Sequence, residues 1–462
     1  MPRACACNDF SRTELFRRAA AQAGQGLPVI EPGMPLPAGT GLTRRRFLAR
    51  TTGLALAVYG GSRLSSAALD DGIAQAAAGG AADSRVLVSI FLDGGADSIS
   101  ILFPNGDPRY RSLRPKLALP EAAGFAFPED GRLRWHPSAE ALSKLHGEGK
   151  LSVFPAIGYT SPDKSHFTSR HYWEVGATDV NVRTGWLGRF IDQTGRPDNP
   201  IQGLALDNRL QPALATARLP VASMDGPDRY SFTANKVSGQ VEARMHETLS
   251  ALGKAHASAG DPALRYAGEV VSQASRLREQ AAAFQGGAIK SPVAYPTSQN
   301  DFPRRLAGLA AMLAAGLPLR CVALTAPGMY DTHANQPDAL SQGLKLTSDS
   351  LLAFQRDLEA RGLADRVLVH VWSEFGRRGK ENASDGTDHG AAGIGLLLGT
   401  RVAGQMVGEF PGLQNGLDSQ GNLKATSDFR GVYSAIMEQW FETDAGAIIP
   451  NAGSFARPKI LE

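Results

Sequence analysis

Cysteine is scarce in this chain of 462 residues, which carries only Cys5, Cys7 and Cys321. The first two fall in an N-terminal segment that we predict to be removed, so Cys321 would have no partner within the mature chain. A fold held together by disulfides is therefore excluded. Cys321 lies in the apolar run 319–324, where a buried structural thiol is expected rather than a nucleophile.

The chain also lacks an excess of charge of one sign. Residues 83–462 contain 39 basic and 40 acidic side chains, and the formal net charge of +3 comes from the segment before them. The sequence shows no basic stripe of the kind that binds nucleic acid. We therefore predict that nucleic acid is not a partner.

Long apolar runs near the N-terminus are missing as well. The apolar stretch 51–61 ends shortly before Arg63. It is therefore much shorter than the roughly 20 apolar residues that a membrane-spanning helix needs. Before it stands Thr43-Arg44-Arg45-Arg46-Phe47-Leu48, the pattern of a twin-arginine export signal, and small residues through position 82 suit a cleavage region. Residues 1–82 are thus predicted to be a signal peptide and processing region. The twin-arginine translocation machinery would export the chain to the periplasm or the cell exterior, with no stable membrane span after cleavage.

Short apolar runs alternate with helical patterns in the rest of the chain. The runs 86–92, 151–157, 319–325, 366–372 and 394–398 are predicted strands. Continuous rather than alternating apolar runs are typical of strands covered on both faces by helices. Helices are predicted at 137–147, 301–316 and 337–362. Residues 83–462 therefore predict a single large α/β domain with a mostly parallel central sheet flanked by helices.

One stretch departs from this alternation. Residues 237–285 are rich in Ala, Glu, Gln and Arg, and Gly260-Asp261-Pro262 interrupts them. This pattern predicts a helical insertion of two helices, and residues 286–300 are predicted to be an exposed connection.

Side chains that can bind metal or act in catalysis stand next to each predicted strand. After the first four strands come Asp93 and Asp97; Ser165, His166 and Thr168; Asp331 and His333; and Glu374 and Arg377, while Asp388 and His389 precede the fifth. Ligands bind at the carboxyl ends of strands in open parallel sheets, so these clusters can converge on one edge. Asp, Glu and His are the ligands of hydrolytic metal sites. Taken singly, Asp331 and Asp388 could each cap a turn instead.

The same residues carry a resemblance to the exported domain-of-unknown-function 1501 family. The matching motifs run through nearly the whole mature chain: Gly94-Gly95-Ala96-Asp97, Ser165-His166-Phe167, Tyr172-Trp173-Glu174, Gly185-Trp186-Leu187-Gly188-Arg189, Tyr330-Asp331-Thr332-His333-Ala334-Asn335-Gln336, Ser373-Glu374-Phe375-Gly376-Arg377-Arg378 and Gly386-Thr387-Asp388-His389-Gly390. That family has no settled activity. It in turn resembles the alkaline phosphatase and sulfatase superfamily, which implies an alkaline-phosphatase-like fold and a divalent metal (Zn, Mn, Mg or Ca).

The superfamily resemblance also implies a ligand set. Asp331, His333 and His389 would hold one ion. A second site, built from Asp93 or Asp97 with Glu374, would be short of ligands, because Phe375 stands where the superfamily places an imidazole. A different alignment puts Asp388-His389-Gly390 at that Asp-His-Gly position, and both alignments stay open.

The resemblance leaves the nucleophile open, since Ser165, Thr168 and Ser98 are each candidates and each could equally be a helix cap. His166 could orient a phosphate or sulfate oxygen, and Arg377 could face an oxyanion. The expectation is an exported metal-dependent hydrolase of phosphate or sulfate esters. The alternative is a non-catalytic envelope protein that binds a glycan, polymer or partner on a degenerate hydrolase scaffold.

Overall fold

The computed structural model describes residues 85–228, 240–284 and 289–462. The predicted signal and processing region, residues 1–82, lies outside these ranges, as do residues 237–239 and 285 at the ends of the predicted helical insertion. Within the described ranges, no helix is both long and apolar enough to cross a membrane.

The described residues form a central sheet, a small sheet and a hairpin. The strands are β1 Val86–Phe91, β2 Leu102–Phe103, β3 Phe125–Ala126, β4 Arg134–Trp135, β5 Leu151–Gly158, β6 Gly203–Leu206, β7 Ala222–Met224, β8 Cys321–Thr325, β9 Val367–Trp372, β10 Arg377–Glu381, β11 Thr387–His389, β12 Gly393–Leu398 and β13 Ser427–Asp428. The central sheet has the order β13-β5-β12-β9-β1-β8-β6-β7. Strands β2, β4 and β3 form the small sheet, and β10 pairs with β11 as the hairpin.

Helices connect and cover these strands. They are α1 Ser98–Ile101, α2 Tyr110–Leu113, α3 Glu140–Gly147, α4 His166–Val175, α5 Trp186–Thr194, α6 Gln240–His256, α7 Pro262–Ala281, α8 Phe302–Ala314, α9 Gln336–Ala360 and α10 Phe429–Ala435. Helix α4 ends at Gly176, whose φ of +66° is the left-handed conformation that commonly closes a helix.

The central sheet is parallel except at β12. This strand runs antiparallel to both of its neighbours, β5 and β9, while the β1–β8, β1–β9, β6–β7, β6–β8 and β5–β13 pairs are parallel. The amino end of β12 therefore lies at the same edge as the carboxyl ends of β5, β9, β1 and β8. Residues that precede β12 can thus meet residues that follow the other four strands.

Apolar side chains cover both faces of the sheet. In β1, Val86, Val88 and Ile90 join one buried cluster, and Leu87 and Phe91 join another on the opposite face. Successive residues of a strand point to opposite faces, so a continuous apolar run is what a strand between two helical layers requires. Burying each such side chain contributes on the order of 1.5–3 kcal/mol.

The predicted architecture is confirmed. All five predicted strands belong to the central sheet, within two residues of their predicted starts and ends, and the mostly parallel α/β fold is as expected. The three predicted helices are present, and the helical insertion consists of α6 and α7 packed against each other. Strands β6, β7 and β13 were not predicted, because two to four residues give too short a pattern to recognise.

Candidate metal centre

Four side chains from three separate segments meet at the edge where β5, β8 and β9 end and β12 begins: the start of α4, the loop after β8 and the end of β11. Asp331 Oδ1 lies 3.4 Å from His166 Nε2, 3.1 Å from His333 Nε2 and 3.5 Å from His389 Nε2. The Nε2 atoms of His333 and His389 are 2.9 Å apart. Three imidazoles thus present the same ring nitrogen to one carboxylate oxygen.

The opposite nitrogen of each ring faces an acceptor. His166 Nδ1 lies 2.7 Å from Glu374 Oε1, and His389 Nδ1 lies 2.8 Å from the carbonyl oxygen of Lys164. His333 Nδ1 lies 3.6 Å from Asp388 Oδ1. Histidines that bind metals usually donate their other N–H to a carboxylate or a carbonyl, which fixes the tautomer and turns the free lone pair toward the ion.

The local electrostatics favour a charged Asp331. Burial opposes ionisation of this carboxyl, but its contacts with His166, His333, His389 and Arg377 hold its pKa far below the usual range. Burial would also lower the pKa of His166, yet its contacts with Asp331 and Glu374 raise it to about 9. The pKa of His389 is lowered, mainly by burial. The cluster thus consists of an ionised carboxylate with three imidazoles around it.

The donor set fits a divalent ion. Suitable atoms of His166, Asp331 and His389 all lie within 4.8 Å of one another, and His333 contacts two of these residues. His166 Nε2 is buried and makes no well-aligned hydrogen bond to any described residue. Of the four metals that the resemblance implied, imidazole ligands suit Zn, whereas Mn, Mg and Ca prefer oxygen. The four side chains remain 16–37% exposed, so solvent or a ligand can reach their centre.

Glu374 lies behind His166 rather than among the converging nitrogens. It is fully buried, and its carboxylate accepts hydrogen bonds from the backbone N–H groups of Gly94 and Gly95 at 3.0–3.3 Å and from the Ser373 hydroxyl at 3.0 Å. Gly94 has a φ of +122°, and a Cβ there would collide with the Asp331 backbone. The loop after β1 therefore needs glycine to reach this carboxylate.

Phe375 forms an apolar wall of the cluster. Its ring centroid lies 4.9 Å from that of His166 and 4.8 Å from that of His389, and the residue is buried. A Cβ on Gly95, whose φ is +74°, would overlap this ring. The residue that stands where the superfamily resemblance implied an imidazole therefore fixes the positions of two imidazoles by packing.

Arg377 is buried and links the loops after β1 and β8 to β11 by hydrogen bonds. Its guanidinium donates to the carbonyl oxygens of Gly94, Gly95, Tyr330 and Thr387, and to Asp331 Oδ1 at 2.6 Å. From its sequence motif, Arg377 could face an oxyanion. In the structure its donors point to the backbone and to Asp331, where they join the loops after β1 and β8 to β11.

The two aspartates after β1 lie in different surroundings. Asp97 is fully buried and is paired with Arg114 at 2.5 Å, apart from the imidazoles. Asp93 is partly exposed and lies 3.9 Å from Arg170. Burial, with the nearby charge of Glu374, raises the pKa of Asp93 to about 7.

The remaining sequence candidates lie near the cluster. Ser165 precedes α4 directly, so His166 opens the helix, and Thr168 lies two residues later with its side chain half-buried. Asp388 is half exposed on β11. None of these positions singles out a nucleophile.

Two features of the cluster were missed at the sequence level. His166 was expected to orient a substrate oxygen, whereas its Nε2 lies beside Asp331 with the other two imidazoles. The Lys164 carbonyl accepts a hydrogen bond from His389. This contact could not be predicted, because every residue has a backbone carbonyl and the sequence does not mark which one is used. The Ser-His-Phe motif after a predicted strand was the available clue to His166.

Comparisons with known proteins give a family and several distant structures. The family model described as "Protein of unknown function (DUF1501)" matches residues 157–431, and no curated protein sequence matches the chain. Solved structures similar to this one include the lipoteichoic acid synthase LtaP from Listeria monocytogenes, at 10% identity and a TM-score of 0.31, covering 78% of this chain and 72% of that one.

Two further structures are similarly distant. The phosphonate monoester hydrolase SpPMH from Silicibacter pomeroyi has 12% identity, a TM-score of 0.32 and coverage of 81% and 75% of the two chains. A protein in the alkaline phosphatase superfamily from Vibrio parahaemolyticus has 8% identity, a TM-score of 0.32 and coverage of 82% and 75%. Likeness this distant says nothing about substrate or activity.

Proposed function

The chain belongs to the DUF1501 family, whose members have no known function, and we propose that it is an exported, metal-dependent hydrolase of phosphate or sulfate esters. One observation carries the proposal. The Nε2 atoms of His166, His333 and His389 all lie within 3.5 Å of Asp331 Oδ1, and each ring turns its Nδ1 toward an acceptor.

These four side chains would hold a single divalent ion. When bound, such an ion polarises an ester oxygen and lowers the pKa of bound water. Glu374 orients the His166 ring and the Lys164 carbonyl orients the His389 ring, while Arg377 holds Asp331 in place. The three imidazoles favour Zn over Mn, Mg or Ca.

The charge of the centre supports an anionic substrate. A divalent ion with one carboxylate ligand keeps a net positive charge, which stabilises negative charge as it develops on an ester oxygen. Asp93 and Arg170 lie nearby on the loop after β1 and on α4. Polar groups beside the ion are thus available to bind a substrate.

Export by the twin-arginine machinery is part of the proposal. Its support is the Thr43-Arg44-Arg45-Arg46-Phe47-Leu48 pattern. This route would deliver a chain that is already folded to the periplasm or the cell exterior.

A binding role without turnover is the second candidate. It is favoured by Phe375, an apolar side chain that packs against two of the imidazoles, and by the absence of a position that singles out a nucleophile among the described residues. In this case the scaffold would hold a glycan, polymer or partner at the envelope.

Elemental analysis of natively exported protein tests the metal centre. We expect about one Zn per chain in the wild type, lost in Asp331→Ala and in His389→Ala. His256→Ala, on the remote helix α6, is the matched histidine control and should keep the metal. A folded wild type without any divalent metal would contradict the proposal.

Turnover separates the two candidates. Metal-loaded wild type should hydrolyse p-nitrophenyl phosphate or p-nitrophenyl sulfate, and the Asp331 and His389 variants should not. Stoichiometric metal without turnover of a wider panel of phosphate and sulfate esters would favour the binding role.

A further inference from the structure

We propose that Gln336 is a positioning residue that sets the spacing of the metal-binding histidines. This rests on the proposed metal centre and concerns a residue that contacts none of its four donor side chains. Gln336 is the first residue of α9 and is 1% exposed.

The side-chain amide of Gln336 uses all of its hydrogen-bonding positions. Nε2 donates to Asp97 Oδ2 at 2.6 Å and to Ser100 Oγ at 3.0 Å. Oε1 accepts from Thr332 Oγ1 at 2.9 Å and from Thr387 Oγ1 at 2.6 Å. A carboxylate can only accept, so the atom that faces Asp97 must be the NH2 group, and the carbonyl oxygen must face the two threonines.

The two threonines belong to the two segments that carry the donors. Thr332 lies between Asp331 and His333, and Thr387 lies two residues before His389. A single oxygen therefore ties the loop after β8 to β11. The Thr387 N–H also donates to the Thr332 carbonyl at 3.0 Å, so the segments are joined through both backbone and side chain.

The other side of Gln336 is anchored in the core. Asp97 is paired with Arg114, whose guanidinium also donates to the Gly379 and Arg378 carbonyl oxygens at 3.0 and 2.9 Å. Those carbonyls belong to β10, the partner of β11. Gln336 thus connects the donor segments to a strand whose carbonyl oxygens accept two hydrogen bonds from a buried, ion-paired arginine.

The consequence is a fixed gap between His333 and His389. Their Nε2 atoms lie 2.9 Å apart. Gln336 joins the two segments through their threonine side chains, alongside the Thr387–Thr332 backbone bond and Arg377, which donates to Asp331 and to the Thr387 carbonyl. Removing one threonine hydroxyl takes away one of these links and lets the two segments shift relative to each other without changing a donor. Changes in residues that orient metal ligands typically weaken metal binding about 10- to 100-fold.

The test uses Thr332→Val and Thr387→Val, each of which removes one hydroxyl at nearly constant volume. Thr387→Ser, which keeps the hydroxyl, is the rescue variant. Thr216→Val, which loses a hydroxyl bond to the Leu219 carbonyl, is the matched control outside the network. Zn and Co dissociation constants and the visible spectrum of the Co-loaded protein are measured on the exported full chain, with circular dichroism to confirm folding.

We expect both valine variants to weaken metal binding by about tenfold or more and to alter the Co spectrum, which reports ligand geometry. Thr387→Ser and Thr216→Val should match the wild type. If Thr387→Val does not fold, Thr332→Val and Thr387→Ser still decide the question. Valine variants that bind Co with wild-type affinity and spectrum would overturn the role of Gln336 and leave the metal centre standing. A wild type that binds neither metal would overturn both.

Discussion

The Nε2 atoms of His333 and His389 face each other at 2.9 Å, and the opposite nitrogen of His389 faces the Lys164 carbonyl. A neutral His389 that donates to Lys164 presents a lone pair at Nε2. The contact with His333 is then favourable only when a proton or a cation lies between the two nitrogens. A divalent ion satisfies both lone pairs at once, together with the charge of Asp331.

Metal removal should therefore destabilise the protein. A ligand that binds only the folded state stabilises it by about 2.7 kcal/mol at one hundred times its Kd. We expect a chelator to lower the Tm of the wild type and to leave the Tm of His389→Ala unchanged. Thermal unfolding with and without added Zn measures this, and equal chelator sensitivity of both proteins would contradict it.

Gly95→Ala should destabilise the protein through Phe375. The new Cβ would overlap the Phe375 ring, and a φ of +74° is unfavourable for alanine. Overpacking of this kind costs about 1–3 kcal/mol. Phe375→Leu should remove part of the overlap, so the double variant should be more stable than the sum of the two single changes implies. Urea unfolding of the four proteins gives this cycle, and simple additivity would show that the two residues do not interact.

Asp97→Asn should affect stability far more than metal stoichiometry. It leaves the buried Arg114 without its charge partner, and breaking a buried pair costs about 3–5 kcal/mol. At saturating Zn the variant should still bind one ion per chain, whereas Asp331→Asn should bind none. Denaturant unfolding and elemental analysis check the two parts. Loss of the ion from folded Asp97→Asn would instead make Asp97 a ligand.

His370 should make the protein sensitive to acid. Its ring is buried, neither nitrogen has a hydrogen-bond partner among the described residues, and burial lowers its pKa to about 3. The unfolded chain binds a proton near pH 6.5, while the folded chain does so only near pH 3. The contribution of the neutral His370 to the free energy of unfolding is therefore fully present above pH 6.5. It decreases by about 1.4 kcal/mol per pH unit as the pH falls from 6.5 toward 3.

The variant His370→Leu isolates this contribution. It should keep wild-type stability at pH 7.5 and lose less stability than the wild type between pH 6.5 and 4.5. Urea unfolding across that range measures the difference. Parallel pH profiles for the two proteins would assign the acid sensitivity to other groups.

Export should depend on the paired arginines. Replacing Arg44 and Arg45 together by lysine keeps the charge but removes the twin-arginine pattern. We expect this variant to accumulate in the cytoplasm, and cell fractionation followed by immunoblotting measures it. Normal export of the variant would show that another signal is used.

The fold could be predicted from the sequence because its main strands are continuous apolar runs. Residues such as Val88 and Leu87 are adjacent in sequence and are buried on opposite faces of β1, which only a strand between two helical layers allows. The direction of β12 was not readable, because an apolar run looks the same in both directions. That direction decides at which edge of the sheet the amino end of the strand, and with it His389, lies.

The roles within the centre could be assigned only in part. Asp93, Asp97 and Glu374 all follow predicted strands, yet one is partly exposed, one is paired with Arg114 and one supports His166. These differences come from partners that lie far away in the sequence. The superfamily resemblance grouped Asp331, His333 and His389, and in the structure these three side chains are neighbours.

The antiparallel course of β12 also bears on the order of events in the cell. Because β12 lies between β5 and β9, His389 joins His166 and Asp331 only after the last of these strands has been synthesised and inserted. A nascent chain that ends at residue 392 contains all four donor residues but lacks the strand that holds His389 at this edge. Metal acquisition in the proposed centre would then report that this sheet has been assembled, before a chain with a twin-arginine signal leaves the cytoplasm.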